Sequence, residues 1–193
     1  MRVFIAVLVL IFSLQSWSKA GDISEFEIEG ISIGDSLLNY FTEKEIKERI
    51  QSDFPGSDKY KRFWLKKNEI SSFEFKTYDS IQVVFKKKDK YFKVAGIAGE
   101  LVITDINNCY KKQNAIVEDV SKLFPNAKIF RDKFKSSADK SGKSIKKVVE
   151  YRMTYGEAQV TCNDWSDEMN IDDGLSVIIW NIEFAKWLSE EAY

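Results

Sequence analysis

The chain has 193 residues, 44% of them hydrophobic and 14% aromatic, with 30 acidic against 29 basic side chains and no histidine. That apolar content can fill a packed core and excludes a disordered tail, while the charge balance lacks the basic excess of a general nucleic-acid binder. The missing histidine excludes Ser-His-Asp and Cys-His catalysis, histidine-ligated zinc, copper and iron, and histidine proton shuttles.

The N-terminus reads as an export signal. Arg2 supplies the positive start, Val3 to Leu14 are apolar apart from Ser13, and Ser18-Lys19-Ala20 sets small residues where a signal peptidase reads. The apolar run is short against the roughly 20 residues of a membrane span. The expectation is cleavage after Ala20, giving a protein secreted or held in the periplasm of a Gram-negative bacterium, with no stable transmembrane segment after processing. Cleavage removes Arg2 and Lys19 but no acid, which widens the acidic excess to three. Residues 21–193 then suffice for one α+β domain, divisible into two similar halves, 21–104 and 105–193.

After the signal, Phe26 and Ile28 alternate with Glu25, Glu27 and Glu29, which predicts a short strand punctuated by Gly30 and Gly34. Residues 35–54 predict helix in two pieces. Thr42 and Glu45 fit a capping box for the second piece, with Leu38, Phe41, Ile46 and Ile50 as a buried stripe and Pro55-Gly56 as the stop. Three β-rich runs follow, 71–78, 80–88 and 90–104, predicting an antiparallel meander. Residues 105–124 carry Ile106, Ala115 or Ile116, Val120 and Leu123 at helical spacing, with Asp105 as N-cap and Pro125-Asn126 as stop. Further strands are predicted over 127–134, 145–155, 157–165 and 174–188. In the last, Ile178, Trp180, Ile182 and Phe184 share an inner face at period two. The expected fold is α+β: an antiparallel sheet of about six to eight strands with two helical segments packed on it, in the order β-α-βββ-α-ββββ.

With the run Ile31-Ser32-Ile33-Gly34-Asp35-Ser36 leading into a helix before three strands, the first half resembles the small outer-membrane-assembly lipoproteins and the related β-lactamase-inhibitor fold. The resemblance is one of element order, and it implies protein–protein binding in the envelope.

Cys109 and Cys162 are the only cysteines. An exported chain with an even pair points to one disulfide, and two cysteines without histidine make a poor zinc set. The bridge is expected to pin the first turn of the second helix to a strand.

Four stretches invite chemistry. Gly34-Asp35-Ser36-Leu37 spells the motif of the GDSL esterases, whose serine needs a histidine base that this chain lacks. Asn163-Asp164 faintly resembles a further block of that family, but Thr161 stands where its glycine belongs. Gly34 for a turn and Asp35 or Ser36 for a helix cap is the expected role. Gly142-Lys143-Ser144 matches the end of a phosphate-binding loop, yet Ser137 replaces the first glycine and no buried strand precedes it, so a solvated hairpin loop is expected. Asp164, Asp167, Glu168, Asp172 and Asp173 cluster as calcium ligands or an acid/base pair would. They lack EF-hand spacing, and a solvated connection between strands is expected. Lastly, lysine and arginine interleave with aromatics over 59–67 and again over 86–93. Such runs suit strands with aromatics inward and lysines outward. They also offer a binding surface, assigned to Lys61, Arg62, Trp64, Lys66 and Lys67.

By elimination the sequence points to a non-enzymatic binding module without metal or cofactor. Its partner would be another envelope protein or an anionic envelope polymer, not nucleic acid. The rival classes are a hydrolase acting through Ser36 or the late carboxylates, and a structural envelope component.

Overall fold

The computed structural model describes residues 23–51 and 59–192; the expected export signal and the expected stop at Pro55-Gly56 lie outside them. Its frame is an eight-stranded antiparallel sheet formed by β3 (Ile50–Gln51), β4 (Tyr60–Lys66), β5 (Ser80–Lys86), β6 (Val94–Val102), β7 (Lys128–Lys135), β8 (Ile145–Arg152), β9 (Gly156–Asp164) and β10 (Gly174–Asn181), in the spatial order β3-β4-β5-β6-β10-β9-β8-β7. A separate two-stranded hairpin joins β1 (Glu27–Ile28) to β2 (Ile31–Ser32). The three helices are α1 (Glu43–Glu48), α2 (Ile106–Leu123) and α3 (Ile182–Glu190). The α+β class and the antiparallel sheet are as predicted and the element order roughly so, with a third helix, α3, beyond the two helical segments expected. The first half of the chain contributes α1 and one run of neighbouring strands, the second α2, α3 and another run, and the two runs meet where β6 pairs with β10. Among the described residues no helix is long and apolar enough to cross a membrane.

Side chains alternate across a strand, so each register rung belongs to one face. On the inner face, one rung runs Phe63, Val83, Ile97, Ile179, Ala158 and Tyr151 from β4 to β8. All six are buried. Fully burying side chains of this size contributes roughly 1.5–3 kcal/mol each, so this face is where the fold is held. Helix α2 closes it through specific contacts. Cys109 in its first turn is disulfide-bonded to Cys162 of β9, with Cα atoms 6.0 Å apart. Gln113 Nε2 donates to Lys147 O at 2.8 Å and Val160 O at 2.9 Å, and Tyr151 Oη donates to Val117 O at 2.9 Å.

The caps expected from sequence are present. Thr42 and Glu45 form the reciprocal box at α1, and Asp105 Oδ1 accepts from Asn107 N at 2.9 Å at the start of α2. Four local expectations are corrected. The stretch before Gly34 is a hairpin and not one strand, because Glu29 and Gly30 both take positive φ, 53° and 78°, as a tight turn of the I′ class requires. The buried residue of the first helical piece is Leu37, whereas Leu38 is 40% exposed. Residues 71–78 form no strand: Glu29 accepts from the N–H groups of Lys76, Thr77 and Tyr78 at 2.6–2.7 Å, diverting that backbone from any ladder. The first strand of the meander is instead β4, from the basic–aromatic run. Finally, the inner residues of β10 are Leu175, Val177 and Ile179, while Ile178 and Trp180 point to the other face. The period of two ends at Asn181, whose side chain accepts from Phe184 N at 2.8 Å and starts α3.

Candidate functional site: the open sheet face

Helices α1 and α2 pack toward the inner face. Among the described helices, the one over the outer face is α3, whose Phe184 and Trp187 bury against Tyr60, Val84 and Ala95 at one end of β4, β5 and β6. The remainder of that face forms a groove of about 730 Å³. Its floor is two rungs. One supplies Lys66, Ser80, Glu100, Ser176, Thr161 and Val148; the next supplies Trp64, Ile178 and Gln159, with Gln82, Ala98 and Glu150 on the same rung of the face. The sequence makes this surface by placing hydroxyls and amides at the alternate positions that the inner face fills with valine and isoleucine.

The floor is partly knitted together. Glu100 accepts from Ser80 Oγ and Gln82 Nε2, both at 2.8 Å, Arg62 donates to Gln82 Oε1 at 3.3 Å, and Asn163 Nδ2 donates to Ser176 Oγ at 3.2 Å. Aromatics stand at the sides: Trp64 on the β4 side, Phe134 and Trp165 on the β7 side. Two polar groups in the groove lack partners among the described residues. Trp64 Nε1–H is buried and donates to nothing. The ammonium of half-buried Lys146 pairs with no carboxylate; it sits 5.0 Å from the centre of the Trp165 ring, and burial lowers its pKa. A desolvated cation held only against an aromatic face is electrostatically unfinished, and an anionic group arriving there gains more than it would at the surface.

Of the binding residues expected from sequence, strand alternation brings Arg62, Trp64 and Lys66 to this face and sends Lys61 to the other; Lys67 follows the strand, its N–H donating to Asp79 O at 2.8 Å. Lys146, Phe134 and Trp165 had no local signal, since their meeting depends on β7, β8 and the β9–β10 connection converging.

The other candidate stretches prove to be connectors. Ser36 caps a 3-10 turn over Leu37–Asn39: its Oγ accepts from Leu38 N at 3.3 Å and donates to Tyr91 O at 2.6 Å. Asp35 beside it accepts from Ser32 N at 2.9 Å and from Tyr40 Oη at 2.7 Å, and burial with that contact pushes the tyrosine up to about 12. The Gly142-Lys143-Ser144 loop is the β7–β8 hairpin connection, but its centre is not solvated. Asp139, 5% exposed, accepts from N–H and Oγ of both Ser141 and Ser144 and from Ser166 Oγ. These donors hold its pKa far below the carboxylate range. Lys143 Nζ meets Glu168 at 2.5 Å, so this hairpin tip is tied to the acidic β9–β10 connection. There Asp173 accepts from Trp165 N at 2.5 Å, which orients Trp165 toward the groove. No three carboxylates or cysteines converge as a metal site among the described residues. The chain matches no protein-family model, no curated protein and no solved structure.

Proposed function

We propose that the protein is an exported, non-enzymatic binding module that recognises a partner protein of the cell envelope through the open half of its sheet. Export is taken from the N-terminal sequence. The observation that carries the binding role is Lys146, a half-buried ammonium with no carboxylate partner among the described residues, held against Trp165 in a groove lined by hydroxyls, amides, tryptophans and the charged side chains of Lys66, Asp79, Glu100, Asp172 and Asp173. Protein interfaces have this make-up: aromatic anchors, a polar surround and few well-placed charges. An anionic polymer would pair with lysines but leave the amide and apolar floor unused, which favours a protein. The partner's contribution is a carboxylate opposite Lys146 and an acceptor for Trp64 Nε1–H.

The test is affinity capture from the envelope fraction of the producing cells with the wild-type protein and with Lys146→Glu. A discrete partner retained by the first and reduced about tenfold or more by the second supports the assignment, since loss of one desolvated charge pair costs 2–5 kcal/mol. Equal capture by both proteins refutes it. Because burial lowers the pKa of Lys146, binding weakens as pH rises through that lowered value, before surface lysines titrate.

A further inference from the structure

The two edges of the sheet differ in kind. One ends in β3, two residues long; the other ends in β7, eight residues long and exposed throughout, with Ile129 at 38%, Phe130 at 45% and Phe134 at 44%. An edge of that length carrying aromatics is a template for another strand.

The hydrogen-bond phase shows which backbone groups are offered. Ser136 N–H donates to Ser144 O at 2.9 Å, opposite it in the hairpin. Antiparallel pairs alternate, so the even-numbered residues of β7 bond to β8, and Ile129, Arg131, Lys133 and Lys135 direct their N–H and C=O groups away from the sheet. Only the Lys133 N–H is satisfied locally, by Asp132 Oδ1 at 2.7 Å.

Charge decides what fits. Lys128, Arg131, Lys133 and Lys135 stand on the strand against one acid, Asp132, and none of these cations has a carboxylate partner among the described residues. Lys133 and Lys147 add to the field above the Tyr110 ring, at 5.6 and 4.5 Å from its centre. A second copy is disfavoured: the face-matched antiparallel registers with fullest overlap oppose Arg131 to Arg131 or Asp132 to Asp132. A polyanion without a peptide backbone meets the charges but cannot answer alternating donors and acceptors.

We propose that β7 takes an acidic, extended segment of another polypeptide as an added strand on the eight-stranded sheet. Its backbone pairs with Ile129, Arg131 and Lys135, its carboxylates face the cations, and its apolar residues lie beside Phe130 and Phe134. This edge does not depend on the groove being a binding site.

The test uses the full disulfide-bonded chain and two fluorescent synthetic peptides that alternate glutamate with valine. One has an ordinary backbone; the other is methylated on alternate backbone nitrogens. Anisotropy titration is expected to show binding of the first and about tenfold or greater weakening for the second, which keeps the charges but loses the ladder. Arg131→Pro, which removes an outward N–H at an edge position, gives the same loss with unchanged circular dichroism. Lys66→Glu, across the groove, leaves peptide binding unchanged, so failure of the groove assignment is distinguishable. Absence of binding by the ordinary peptide overturns the proposal. So does equal binding of the two peptides, which would mark the edge as a site for polyanions in general.

Discussion

The two faces of the sheet are built from alternate residues of the same strands, and they obey opposite rules. The inner face carries Val83, Ile97, Ile179, Val160 and Tyr151, all buried, and is latched by α2 through a disulfide and through the Gln113 and Tyr151 hydrogen bonds. The outer face carries Gln82, Ser176, Gln159 and Thr161 over the same strands, and a helix covers only one end of it. Core packing forgives no vacancy, whereas the open face keeps, among the described residues, an ammonium without a carboxylate partner and an indole N–H without an acceptor. The difference shows which residues hold the fold together and which, under the proposed function, are left for a partner.

Substitutions should separate the faces by size of effect. Loss of the latch is expected to be the largest: Cys162→Ala lowers stability by about 4 kcal/mol in the chain-entropy model, measured as a fall in oxidised-state melting temperature. Equal melting of the two proteins would show that α2 is held without it. Next comes the pair Ile179→Ala and Ile178→Ala, adjacent residues on opposite faces. Chemical denaturation should give roughly 3 kcal/mol for the inner one and under about 0.5 kcal/mol for the outer one. Similar losses from both would erase the distinction. Away from the sheet, Ser36→Ala should cost about 1 kcal/mol through the lost cap and the lost bond to Tyr91 O.

The smallest signal is confined to acid. Asp139 has a folded-state pKa below its unfolded value, so its contribution is full above the ordinary carboxylate range and is lost as pH falls through the lowered folded value. Asp139→Asn should therefore flatten the acid limb of the stability curve, and an unchanged limb would mean that the hairpin tip is not anchored by this carboxylate.

Much of this was legible in the sequence, for physical reasons that also explain the misses. Thr42-Glu45 and Asp105 are local signals, set by contacts within a few residues, and they appear as expected. The strands with clean alternation were found, and the cysteine pair follows from the even count and from the export expected of the N-terminus. The expected strand at 71–78 failed because Glu29, far away in sequence, captures its backbone N–H groups. Helix α3 was hidden because Ile178 and Trp180 continue a period of two into Ile182 and Phe184, and only Asn181 marks the change. The site divided in the same way. Arg62, Trp64 and Lys66 lie close in the chain and were visible as a run, whereas Lys146 is one lysine among many until the fold places it beside Trp165.

Site-specific photo-crosslinking in the producing cells puts the two faces to the test together. A photoreactive residue at Ile178, in the middle of the groove floor, should trap a discrete partner protein, and adding Lys146→Glu should remove that adduct. The same residue at Lys44 on α1, whose side chain is 84% exposed, should trap none. Identical adducts from both positions, or an adduct at Ile178 indifferent to Lys146, would contradict the assignment of the open face as the binding surface.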